Sequence, residues 1–460
     1  MSDALRGLPG TRRAGGGLRP IDVRDRGQLD RAPRDAAAGR TPTRQKATAL
    51  VRDRHQADYA ILVIVVALTA IGVLMVYSSS AMKAYLATDD TFKVVGPQIM
   101  WAALGLLAMV GMMRLDYRYL RFVSVPAFVA AVGVVVLVLV LPAQGLVHTV
   151  VVGGSARFLQ VGPLPAVHPA ELAKLAMVIY LAHWFAKRGS RVKGFWTGTV
   201  PFLVIVGPLV ALVFKEPDLG TMMVILLTAV TMFFLAGGRL VHLLAIGAAA
   251  LLAVIAVGLH GYQMDRIRTW LDPWSDKLGS GFHTIQGLLA LGLGGILGAG
   301  LGESRLAGGL FLPNASNDYI FAIIGEEFGL IGASVVILLF VALAYSGIRV
   351  ALAAPDTFGA LLAAGITAWL CIQAFINIGV VVALIPVTGI TLPFISAGGS
   401  SLSISLAAVG ILLSISRETV ERGTWNDAAA DRRGRDGRAY LPGTRRGPLA
   451  PRTIRSTERA

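Results

Sequence analysis

Residues 59–80 read YAILVIVVALTAIGVLMVYSSS, a run without a single charged side chain. About 20 such residues, wound as a helix, cross the ~30 Å hydrocarbon core of a bilayer, so this run reads as a membrane span. Nine more runs of the same kind follow it. The ten candidate spans are 58–80, 96–113, 122–142, 170–186, 196–214, 219–236, 240–259, 319–345, 358–384 and 399–416. Nothing alternates like a barrel strand, and a bilayer admits only helices or closed barrels. The expected fold is therefore an all-α polytopic membrane protein, a bundle of about ten transmembrane helices.

Composition agrees with that reading. The 460 residues are 55% hydrophobic and 15% charged, far too apolar for a soluble domain of this length. The net charge of +15 invites a nucleic-acid partner, but the charge sits mostly in the tails. Residues 1–57 carry 13 Arg/Lys against 6 Asp, and 417–460 carry 11 Arg. Basic tails beside spans mark a cytoplasmic face, attracted to anionic lipid, and not a nucleic-acid protein. The one cysteine, Cys371, excludes an intramolecular disulfide. The first apolar run begins near Ala60, too late for a cleaved signal peptide. Three regions follow: a disordered basic tail (1–57), a transmembrane domain (58–418) and a second disordered basic tail (419–460).

Placing the N-terminal tail inside makes 114–121, 187–195, 237–239, 346–357 and the C-terminal tail cytoplasmic. These loops hold Arg114, Arg118, Arg121, Lys187, Arg188, Arg191, Lys193, Arg239 and Arg349. The outer loops are poorer in Lys and Arg for their length, and 385–398 has none. Both termini are thus cytoplasmic, with a large outer loop between spans 7 and 8.

The remaining charges near membrane depth gather on the outer side. They are Arg157 in GGSARFLQVGP (153–163), Glu171 and Lys174 in HPAELAK (168–174), Glu216 and Asp218 in KEPDLGT (215–221), and Asp318 at the mouth of span 8. Each admits a plain reading, because Asp218 and Asp318 sit where helix caps belong and Glu171 lies one turn from Lys174. Their concentration on one face suggests instead a polar cavity open to the outer leaflet. Arg157 and Lys174 suit a pyrophosphate, and the carboxylates suit sugar hydroxyls, a divalent cation or proton abstraction. The turn GITLPFISAGGSS (389–401) offers Ser400, Ser401 and backbone amides at the start of span 10. Glu326 and Glu327, deeper in the span 8 run, read as structural.

Three stretches carry a resemblance. YQMDRIRTWLDPWSDKLGSGFHTIQGLLALGLGGILGAGLGESR (262–305), LPNASNDYIFAIIGEEFGLIG (312–332) and IPVTGITLPFISAGGSSLSISLAAVGILLSISRE (385–418) resemble the SEDS family of FtsW, RodA and SpoVE. The resemblance runs over about 58–418, and the GILLSISRE ending leans toward the division and sporulation branches. It implies a peptidoglycan glycosyltransferase that polymerises lipid II at the outer face of the cytoplasmic membrane. It also implies a class B penicillin-binding protein as transpeptidase partner, and other divisome or elongasome proteins. The family's essential acid falls on Asp318, here within Ser316-Asn317-Asp318-Tyr319 where the family pattern is H-T-D-F. On that basis Asp318 is the expected catalytic base, with Arg157, Glu171, Lys174, Asp218, Ser400 and Ser401 as substrate contacts. No cofactor is expected with certainty, and a divalent cation at the pyrophosphate stays open. A lipid II flippase and a non-catalytic scaffold for a transpeptidase are the alternatives.

Overall fold

The computed structural model describes residues 58–418 apart from 142–146, 153–154, 163–164, 258–261, 280, 310 and 313–314. The expectations for the two tails lie outside the described residues. The apolar runs become helices in the expected order: α1 (Tyr59–Thr88), α2 (Val95–Arg114), α3 (Leu120–Val140), α4 (Pro169–Arg188), α5 (Val200–Lys215), α6 (Leu219–Leu235) and α7 (Leu240–Val257). The outer loop adds α8 (Tyr262–Leu271), α9 (Phe282–Gly294) and α10 (Arg305–Gly308). The chain closes with α11 (Ile320–Ala353), α12 (Thr357–Val381) and α13 (Gly399–Ser416). Among the described residues, seven helices are long and apolar enough to cross a membrane by length and composition alone. With the more polar α4, the 17-residue α6 and α7, they make the ten expected spans.

Local chemistry sets the ends. Asp58 caps α1 by accepting from the Ala60 amide, and Asp356 caps α12 by accepting from Gly359 at 2.6 Å. Pro169 opens α4 at a position where its missing N–H goes unnoticed. Packing then sorts the helices. The apolar stretches of α12 and α13 are buried over 72% and 83% of their length, that of α3 over 22%. α12 and α13 are therefore central posts, and α3 faces lipid. Small residues permit close contact: a side chain added at Gly410 of α13 would meet the Met109 carbonyl of α2 at 2.4 Å.

Two layers of polar contacts mark the ends of the bundle. At one end Arg118 bonds Glu418, Arg121 bonds Asp356, and the Asp58 amide donates to Ser416 Oγ. This is the expected cytoplasmic end. The sequence-predicted site lies at the other. α13 has 18 residues, so Gly399 stands only about 26 Å above Ser416 at ~1.5 Å per residue. The segment 385–398 before it is consequently sunk within the ~30 Å hydrocarbon depth, where irregular backbone survives only inside protein. It is enclosed: Ile390, Leu392, Phe394 and Ile395 are all buried.

Three features were not foreseen. A hairpin, β1 (Val147–Val152) with β2 (Ser155–Val161), pairs antiparallel in the outer loop. Its sequence signal, a Val/Thr-rich run followed by Gly-Gly and a second run with Phe, Leu and Val, was available. α9, too short to span, packs against the outer part of α11. Most consequential is a break in α11, where Gly329 stands at φ 66°, ψ −163°. The 24 residues after the break reach about 36 Å, enough to cross alone. The expected span 319–345 is thus corrected to about 330–353, and Glu326 and Glu327 belong to an outer segment before the crossing. Backbone groups freed by the break are taken up by the α9–α10 loop: Leu330 N donates to Gly295 O and Ala299 N to Glu326 O, both 2.9 Å.

Candidate active site

The sunken loop 383–398 is the platform on which the site is assembled. Asn377 of α12 donates from one amide nitrogen to the Asp318 carbonyl (2.9 Å) and the Ile390 carbonyl (2.8 Å). Ser396 Oγ donates to Asn317 O (2.7 Å), and Ala397 N donates to Ser316 O (2.8 Å). Arg266 and Trp270 of α8 reach down to Val387 O and Ala383 O, at 2.8 and 2.9 Å. Asp318 is therefore fixed from below by α12 and from the side by the loop. The position of a Cβ on Gly389 would lie 3.6 Å from its Oδ2. Trp270 is a half-buried tether, whereas Trp274 is exposed.

The electrostatics around Asp318 follow from that placement. Burial and then the charge of Asp218 push its carboxyl up to about 7, while Arg157 and Arg266 pull the other way. An aspartate in this setting exchanges its proton near neutrality. Arg157, on β2, is spent on backbone: Nε donates to Glu216 O at 3.2 Å and Nη2 to Pro217 O at 2.7 Å. It thereby pins the α5–α6 turn beside Asp318. In that turn Asp218 caps α6 through the Thr221 amide (3.0 Å) and faces His168 at 3.6 Å. His168 is buried, and desolvation lowers its pKa against the opposing pull of Asp218 and Glu171. Glu216 is pushed up to about 8, by burial first and Asp218 second.

Glu171 and Lys174 take a different place from the one expected at a pyrophosphate. Lys174 is 1% exposed. Its ammonium donates to Glu171 (2.8 Å) and to Gln373 Oε1 (2.6 Å), with the Trp369 ring 5.3 Å away. Partners on three sides leave it no surface to offer a ligand. Ser400 is likewise occupied, accepting from the His168 amide at 3.1 Å, and Ser401 is buried in the first turn of α13. The structure thus joins Asp318, Asp218 and Arg157 in one recess, with Glu171, Lys174 and Ser400 forming its buried support. Glu326 and Glu327 are structural: Glu326 caps α10 through Ser304 and the Arg305 amide, and Glu327 accepts from Ser78 of α1.

Two residues went unnoticed in the sequence, Gln373 and Asn377. Together with Trp369 they stand at i, i+4 and i+8 on α12, one face of a helix. Gln373 also donates to Thr391 O at 3.0 Å, so this face stitches α4, the sunken loop and Asp318 together. The available signal was two neutral amides at four-residue spacing inside an apolar span. Among the described residues no group of three or more His, Cys, Asp or Glu is placed to hold a metal ion.

A ten-span bundle with an acid set among cations at its outer end defines a polytopic membrane protein with a polar site at one face. The family model described as "Cell cycle protein", which groups FtsW, RodA and SpoVE, matches residues 59–421. The chain belongs to this family. It is 43% identical to stage V sporulation protein E of Bacillus subtilis over 361 residues, 78% of this chain and 97% of the relative. It is 40% identical to the probable peptidoglycan glycosyltransferase FtsW of Geobacter metallireducens over 367 residues, 80% and 96% of the two chains. Among solved structures it matches a chain of a peptidoglycan synthase complex (TM-score 0.64, 27% identity, 78% and 98% covered). It also matches the rod shape-determining protein RodA of Thermus thermophilus (TM-score 0.58, 27% identity, 79% and 98% covered).

Proposed function

We propose that this chain is a peptidoglycan glycosyltransferase that polymerises lipid II into β-1,4-linked glycan at the outer face of the cytoplasmic membrane. Asp318 is its general base. The observation that carries the reading is the setting of Asp318: its carbonyl is held by Asn377, burial raises its carboxyl to about 7, and the charges of Arg157 and Arg266 act on it. The acceptor's 4-hydroxyl gives its proton to the Asp318 carboxylate as its oxygen attacks the anomeric carbon of the donor. The bond from that carbon to the pyrophosphate oxygen breaks, and undecaprenyl pyrophosphate leaves with the electron pair. Attack opposite the leaving group inverts the donor to a β link. A positioned base typically supplies 10²–10⁴-fold. Arg157 and Arg266 lend positive potential where the departing pyrophosphate gathers charge. Lys174 and Glu171 act through the scaffold, holding Gln373 and with it the loop beneath Asp318.

A flippase would need polar groups along the whole depth of the bundle. Among the described residues, the buried ionisable side chains His168, Glu171, Lys174, Glu216, Asp218, Glu326 and Glu327 all belong to the outer half, which favours chemistry at one face. A class B penicillin-binding protein is the proposed transpeptidase partner, and the division septum the proposed location. The test is polymerisation of fluorescent lipid II by the protein with its cognate transpeptidase. Glycan ladders from the wild type and none from Asp318→Asn, with partner binding intact, support the reading. Equal ladders from both remove Asp318 as base. No ladders from either, with lipid II crossing liposome membranes, make the protein a flippase.

A further inference from the structure

The cytoplasmic end treats its cations in two ways. Arg118, between α2 and α3, and Arg121, in the first turn of α3, are neutralised within the protein by Asp356 and Glu418. The cations of the α4–α5 and α6–α7 loops are not. Lys187, Arg191, Lys193 and Arg239 are exposed, and none makes an ion pair among the described residues. The sequence explains why: no Asp or Glu occurs between Glu171 and Glu216, nor between Asp218 and Asp265. Solvated loop lysines would normally wander. These are displayed on a tightly folded turn.

The turn is built from within. Val192 is fully buried, and Thr197 Oγ1 donates to Arg191 O at 2.8 Å. Arg188 donates to Thr197 O and lies 4.4 Å over the Trp184 ring. A π-helical turn, Phe195–Thr199, leads into α5 and is clasped by α7, where Thr199 meets His242 at 2.7 Å and Phe195 packs on the same imidazole. The second loop closes over the first, since a Cβ at Gly237 would lie 3.9 Å from Lys193 Cε. Beside these cations Trp196 is 77% exposed, at the depth where indoles settle in the headgroup layer.

We infer that the Arg191–Lys193–Arg239 cluster, with Trp196 at its rim, is a binding site for the phosphate headgroup of an anionic phospholipid of the inner leaflet. Charge complementarity decides the occupant. A rigid group of unneutralised cations at the bilayer surface faces the anionic leaflet, and basic pockets between spans on this side take phosphate headgroups. Trp196 enters the acyl boundary and sets the depth. The site lies at the end of the bundle opposite Asp318 and is independent of the polymerase reading.

The test compares the full-length protein in nanodiscs of phosphatidylcholine doped with phosphatidylglycerol, counting retained phosphatidylglycerol by native mass spectrometry. Each neutralised cation near the surface is worth about fivefold, so Arg191→Gln/Lys193→Gln/Arg239→Gln is expected to lower retention at least tenfold. Arg349→Gln, an exposed inner cation outside the cluster, is expected to leave retention unchanged. Retention is also expected to fall as salt rises, a readout on the wild type that needs no variant to fold. Unchanged retention in the triple variant, an equal loss in Arg349→Gln, or indifference to salt would each overturn the proposal. Displacement of the lipid by millimolar inorganic phosphate would overturn it too, by assigning the cluster to a soluble anion.

Discussion

Truncating Lys174 separates a structural role from a catalytic one. In Lys174→Met the Glu171 carboxylate, 4% exposed, loses its ion-pair partner, and Gln373 Oε1 loses its 2.6 Å donor. Breaking a buried pair from one side typically costs about 3–5 kcal/mol, whereas replacing both members by neutral groups of similar volume is often close to neutral. Glu171→Gln alone strands the ammonium and belongs in the same range. The double variant Glu171→Gln/Lys174→Met is therefore expected to regain most of the loss, so that the coupling exceeds the cost of either single variant. The assay is reversible unfolding in mixed detergent micelles for the four proteins of the cycle, alongside lipid II polymerisation. Polymerisation is expected to recover with stability in the double variant. Stable single variants with no coupling, and activity lost in every protein lacking Lys174, would refute the reasoning and return Lys174 to the substrate.

Three further outcomes are expected. The polymerisation rate of the wild type rises with pH through a midpoint near 7, because Asp318 works as the carboxylate and its proton leaves at about that pH; Arg266→Gln removes a stabilising charge and moves the midpoint upward, and a midpoint near 4 in the wild type would contradict the placement. Asn377→Ala frees the Asp318 and Ile390 carbonyls and lowers kcat at least tenfold, with KM for lipid II changing less; equal loss in both would indicate a collapsed site. Gly329→Ala forces a side chain into positive φ and to within 2.4 Å of Ile296 O. Strain of this kind costs of order 1–3 kcal/mol, so its melting temperature falls, and an unshifted melt would place the break elsewhere.

The order and number of spans were legible because burial in lipid demands long uncharged runs, a signal that survives in a single sequence. The sides were legible because cations gather on one of them. The break at Gly329 was not, since glycine is common in spanning helices and hydropathy is blind to φ. Asp318, Asp218 and Arg157 were legible as charges at an edge. The partners of Lys174 were not, because Gln373 lies 199 residues away along the chain and a charge map says nothing of which neutral amide will meet it. Arg157 shows the same limit, as its guanidinium holds two backbone carbonyls rather than a ligand.

α12 is gripped at both surfaces of the membrane. Its N-cap, Asp356, holds Arg121, and one turn short of its far end Asn377 holds Asp318. Twenty-five residues of unbroken helix make a lever about 37 Å long. Tilted by roughly two degrees about its inner end, such a lever carries its outer tip about 1 Å, a misplacement that can cost 10²-fold in rate at a catalytic group. A shift in the inner loops that tilts α12 is therefore expected to reach Asp318 at the opposite end.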